Sequence, residues 1–171
     1  MSNSTIIRLP TTSKIGQSVF TELTSSQAQS ISNVTWTTIS DGTTNFSVVI
    51  TPTLNTSSVL LFIDFTGAFT TAGYWKIQRN GSDIGVGTGA TGVQVNATGG
   101  MYGNAATAYV YSSFKYVYLD SPASTSAQTY TIQAYTGNGA STLYVNRSGT
   151  DTNSNACYRY TSRLIAIEVL A

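Results

Sequence analysis

The chain closes on TSRLIAIEVLA, and an extended strand built from it is apolar on both sides. Successive side chains of a strand point to opposite faces. Arg163, Ile165, Ile167 and Val169 therefore share one side, and Leu164, Ala166, Glu168 and Leu170 the other. The stretch SVLLFIDFTGAF repeats the feature, with Val59, Leu61, Ile63 and Phe65 on one face and Leu60 and Phe62 on the other. In a two-layer sandwich the outer face of each sheet meets water and is ordinarily polar. Strands apolar on both faces need a second cover, either the chain's own N-terminal segment or a neighbouring subunit. A neighbour is the expectation here.

Between residues 34 and 171 short β-rich runs alternate with turn signals. Val34–Ile39 ends at Ser40-Asp41-Gly42, and Phe46–Thr51 is closed by Pro52. YWKIQRNGSDIGVG reads as a hairpin, because Asn80-Gly81 supplies the positive φ angles of a tight turn. AYVYSSFKYVYL, QTYTIQAYTG, STLYVNRSG and SRLIAIEVL complete eight strands with no long helix. The expectation is an all-β, antiparallel two-sheet jelly-roll sandwich over residues 34–171, with an extended N-terminal arm over residues 1–33. That arm lacks sustained periodicity. Ile6, Ile7, Leu9, Val19 and Phe20 are its candidate docking points, and FTELTSSQAQ has weak helical character. The competing reading makes part of the arm a first strand of the domain's own sheet.

Charged residues are only 9% of the chain, yet 11 Tyr and many β-branched residues argue for a packed β-fold rather than disorder. The net charge of +1 comes without a basic stripe, so nucleic acid is not an expected partner. No run approaches the roughly 18 apolar residues of a membrane-spanning helix, and the N-terminus lacks the apolar core of a secretory signal. Cys157 is the single cysteine and has no internal disulfide partner, which fits folding in a reducing cytoplasm.

Catalytic constellations are thin. The chain contains no histidine, which removes Ser-His-Asp and Cys-His pairs and the usual zinc sites. Gly87-x-Gly89-x-x-Gly92 has dinucleotide-binding spacing but is followed by more glycine rather than a helix. Asp151-x-Asn153-x-Asn155 opens like a calcium loop, but Ala156 and Ser162 stand where Gly and Glu are required. No catalysis, cofactor or metal is expected. Tyrosines concentrate between residues 102 and 135. Most suit sheet packing, while Tyr102, Tyr109 and Tyr111, near the Gly-rich loop at residues 85–104, are candidates for facing a ligand.

Four segments, in order, carry a resemblance: VVITPTLNTSSVLLFIDF, then WKIQRNGSDIGVG, then YLDSPASTSAQTYTIQAY, then YVNRSGTD leading to SRLIAIEV. Together they resemble the tumour-necrosis-factor-like trimeric jelly rolls of bacteriophage virion proteins, over about residues 34–171. The resemblance implies a homotrimer whose final strand turns one face to the threefold axis. Leu164, Ala166 and Leu170 would then be covered by neighbours, Glu168 would meet an Arg or Tyr, and Leu164→Asp would dissociate the trimer. The function implied is capsid decoration (cement) or a head fibre on the virion surface, with the major capsid protein or another virion protein as partner. Two other readings stand beside it. One is a tail-fibre tip that recognises host surface polysaccharide, and the other a bacterial lectin or adhesin.

Overall fold

The computed structural model describes residues 7–8, 14–101, 103, 109–137 and 139–171. Ile6, Leu9 and Tyr102, singled out above, lie outside them. The chain is all-β, with two antiparallel sheets packed as a sandwich. Its strands are β1 (Ile7–Arg8), β2 (Ile15–Leu23), β3 (Gln27–Ile31), β4 (Thr37–Thr38), β5 (Ser47–Ile50), β6 (Ser58–Phe69) and β7 (Gly73–Arg79). There follow β8 (Ser82–Ile84), β9 (Gly99–Met101), β10 (Ser112–Asp120), β11 (Gln128–Tyr135), β12 (Ser141–Val145) and β13 (Ser162–Val169).

Several strands lie end to end, so each sheet reduces to a few rows. Gly67 of β6 faces both Ser112 of β10 and Val145 of β12, which puts those two strands on opposite sides of β6. In the seven-stranded sheet β10 is therefore one edge. β6 comes next, followed by β13 continued by β12, then β2 continued by β3, with β1 outermost. The six-stranded sheet runs from β4 and β5 through β11 and β7 to β8 and β9. The β7–β8 hairpin turns at Asn80 (φ 49°) and Gly81 (φ 83°), as the Asn-Gly pair requires.

The N-terminal boundary differs from the sequence expectation. From Ile15 the segment is a strand paired with β13 along nearly its whole length, not a free arm or a helix. Val19 is in the core, Phe20 is half-buried beside Ile165, and the Ile7 backbone pairs with Ser18. The β-rich runs begin earlier than residue 34 because β13 has an open edge that only a further strand can satisfy.

The core lies between the sheets. Val59, Leu61, Ile63 and Phe65 of β6 meet Ile39, Phe46, Trp75, Ile77 and Ile132 from the opposite layer. β10 closes one side with an aromatic stack: Phe114 lies 4.2 Å from Trp75, nearly parallel, and 5.1 Å from Phe65. Buried polar groups are closely partnered. Asn146, at φ 57°, donates to the Leu23 and Ser25 carbonyls and accepts from the Ser162 hydroxyl. It thereby ties the β2–β3 junction to the start of β13.

Asp41 and Glu168 are buried carboxylates with no cationic partner among the described residues. Asp41 accepts from the N–H groups of Thr24, Ser25, Thr43 and Thr44 and from the Thr43 hydroxyl. Glu168 accepts from Gln17, from the Thr53 N–H and hydroxyl, and from the Ser57 hydroxyl. Burial by itself raises both acids. The donors outweigh it and hold each below the ordinary carboxylate value. A depressed folded value means stability that is complete above the unfolded pKa and lost as pH falls. Thermal melting should therefore be flat above about pH 5 and fall below about pH 4. Glu168→Gln should cost about 1–3 kcal/mol at neutral pH and flatten the acid limb. Gly16→Ala should destabilise too, since its Cβ would stand 2.5 Å from Glu168 Oε2. Scanning calorimetry between pH 3 and 8 tests all three, and an unchanged acid limb in Glu168→Gln would refute the assignment.

Candidate functional site

The two outer faces of the sandwich differ in chemistry. On the six-stranded sheet Thr129, Thr131, Gln133, Lys76 and Gln78 alternate with core residues, the ordinary polar exterior. The seven-stranded sheet is different. Phe20, Ile165, Phe62 and Val117 are direct cross-strand partners from β2 through β13 and β6 to β10. The next row is Ser18, Ile167, Leu60 and Leu119. In the single chain Phe62 is 38% exposed, Val117 56% and Leu119 57%, although they adjoin one another. The apolar row is continuous over four strands, unlike the polar exterior expected of a solvated sheet face.

A third row bounds the patch. Glu22, Arg163, Asp64 and Lys115 follow in register, alternating in sign. Arg163 pairs with Glu22 and Lys115 with Asp64, each at 2.5 Å. A depression of about 500 Å³ lies where the rows meet, between Phe62, Val117 and Ile165 on one side and Asp64, Lys115 and Arg163 on the other.

The residues expected to face neighbours are placed differently. Leu164 and Ala166 are fully buried in the chain's own core, opposite Thr21 and Val19. Glu168 is fully buried as well, and its donors are Gln17, Thr53 and Ser57 rather than an Arg or Tyr. Leu170 is half-buried, and its N–H donates to the Lys14 carbonyl. The two faces of the last strand are thus exchanged relative to the expectation: Ile165 and Ile167 are the outward pair. The reason is the partner strand. Ile63, Leu61 and Val59 of β6 are the core-facing set, and register puts Leu164, Ala166 and Glu168 beside them.

The tyrosines divide. Tyr116 and Tyr118 pack against the core, and the Tyr130 hydroxyl donates to Asp120, which also receives Arg79. Burial first, and that hydrogen bond second, raise the Tyr130 hydroxyl well above its ordinary value. Tyr109 and Tyr111 are exposed, and the Tyr111 ring lies 4.8 Å from Tyr160. Burial and the neighbouring Tyr111 push Tyr160 up to about 12.

All seven acids of the chain are engaged. Glu22, Asp64, Asp83, Asp120 and Asp151 form ion pairs, and Asp41 and Glu168 are saturated by neutral donors. Among the described residues no three His, Cys, Asp or Glu side chains gather as a metal site. No protein-family model matches the chain, and a comparison with curated proteins finds no match.

A charge placed on each face should give opposite results. Leu164→Asp should abolish folding, because a carboxylate would enter the core without donors. Val117→Asp, on the outer face, should leave the melting temperature of the isolated domain within a few degrees. Circular dichroism melts separate the two, and a folded Leu164→Asp protein would overturn the assignment of faces.

Proposed function

We propose that the chain is a structural subunit of a phage virion, a capsid decoration (cement) or head-fibre protein that works as a homotrimer. The observation that carries the self-association is the apolar row Phe20–Ile165–Phe62–Val117 together with Ile167, Leu60 and Leu119 of the next row on the outer sheet face. The virion assignment rests on the four sequence segments described above.

Second copies of the chain are the occupant best matched to this face. The charged row begins with Glu22 beside the β2 edge and ends with Lys115 on β10, so its two ends have opposite sign. Contact between copies can therefore set an acidic end against a basic end, either head to tail or in a twofold pair where Glu22 meets Lys115 reciprocally. Head-to-tail interfaces that close generate cyclic rings, of which a trimer is the simplest beyond the dimer. The engaged acids support a binding or structural role over catalysis, since none stands ready as a general acid or base.

Sedimentation equilibrium of the full chain should give three times the chain mass, and about 1 M salt should leave it assembled because apolar burial dominates. Leu119→Asp with Val117→Asp should produce a folded monomer. A monomeric wild type, or a double variant that remains trimeric, sinks the interface. Immunogold labelling of virions tests location: gold over the head supports decoration, and gold at tail tips or on no particle refutes it.

A further inference from the structure

A second surface, on the opposite side of the sandwich, has the chemistry of a binding site. A cleft of about 880 Å³ lies between the end of the six-stranded sheet and the loop from Gly87 to Ala97. Its volume is in the range of small-molecule sites. Tyr74 and Tyr135 line it, and they are direct cross-strand partners on β7 and β11. Their rings are 6.3 Å apart, and Trp36 stands 4.9 Å from Tyr135. Tyr74 is 37% exposed. Tyr74 is thus the ring open to solvent, with the buried Tyr135 beneath it and Trp36 packed behind Tyr135.

The loop that walls the cleft is organised by its own hydrogen bonds. The Gly87 N–H donates to the Ala97 carbonyl and closes the neck. The Ala90 N–H donates to Asn96 Oδ1, and the Thr91 N–H to Gln94 Oε1. Both amide oxygens are thereby occupied, and their NH2 groups have no partner among the described residues. A preformed wall costs less ordering on binding than a loose one.

Two further features point the same way. Val93, at the rim, is 99% exposed, and Val34 opposite it is 65% exposed. Val34 also has φ 51°, a left-handed conformation costly for a β-branched residue, and is held there by its N–H bond to the Thr136 carbonyl. Strain of this kind clusters at ligand sites. Among the described residues, no Asp, Glu, Lys or Arg lines the cleft.

We propose that this cleft binds a neutral saccharide. An aromatic face takes the C–H side of a pyranose ring, amide NH2 groups donate to its hydroxyls, and a lining without charge favours neither phosphate nor carboxylate. The site is separate from the association face, so either assignment can fail alone.

The test is saturation-transfer NMR on the full chain with hexasaccharides of glucose, mannose and N-acetylglucosamine, and with an oligogalacturonate as acidic control. At least one neutral sugar should receive saturation, and Tyr74→Ala should weaken its binding about tenfold or more. Because Tyr74→Ala can disturb the sheet, Gln94→Glu with Asn96→Asp provides a second variant. It keeps the acceptors that hold the loop and removes the amide donors, so binding should fall while melting is unchanged. Saturation of no neutral sugar, preference for the galacturonate, or wild-type binding by the Gln94→Glu, Asn96→Asp protein overturns the proposal.

Discussion

The register of β13 between β2 and β6 is the constraint on which the rest of this structure depends. Side-chain direction in a strand has a period of two, so shifting the register by one residue would exchange every core residue for a surface one. Here Leu164 and Ala166 enter the core and Ile165 and Ile167 face outward. The choice is enforced twice. Ile63 and Leu61 accompany them from β6, and Val19 from β2. Glu168 adds a polar lock, because its carboxylate reaches Gln17, Thr53 and Ser57 only in this register. A one-residue slip would turn Glu168 outward and lose these bonds, and a two-residue slip would keep it on the core face away from its donors, which is far costlier than losing a few apolar contacts.

With so few charges, the chain uses nearly all its carboxylates in its own construction. Asp120 joins Arg79 of β7 to the Tyr130 hydroxyl of β11, and Asp41 gathers the β2–β3 junction. At Asp41 and Glu168 hydroxyl and amide groups stand where a cation would pair the acid elsewhere. Hydrogen bonds to a carboxylate are the stronger ones, so a Ser- and Thr-rich chain can still specify one arrangement of two sheets.

The outcome is a sandwich with two unlike exteriors. The seven-stranded sheet presents apolar rows edged by alternating charges. The outer face of the six-stranded sheet is mostly polar, with Val49 exposed on β5 and the Trp36, Tyr135 and Tyr74 rings grouped at one end beside the glycine-rich loop. The apolar rows and the cleft share no residues.

The sequence by itself determined the class of fold. Alternating β-branched and aromatic runs separated by Asn-Gly, Pro and Gly signals dictate antiparallel strands, because these are local preferences of backbone and side chain. It also determined that the last strand has two apolar faces. Only the tertiary structure decided which face the core takes, since the alternation of Leu164 and Ile165 is symmetric until a partner strand breaks the tie. The same holds for Ile15–Leu23, which lacks clear periodicity and becomes a strand through the open edge of β13. The cleft was out of reach for a related reason: Trp36, Tyr74 and Tyr135 are distant in the chain and meet only because β11 pairs with β7 on one side and with β4 on the other. Local preference is written residue by residue, whereas register and juxtaposition are properties of pairs.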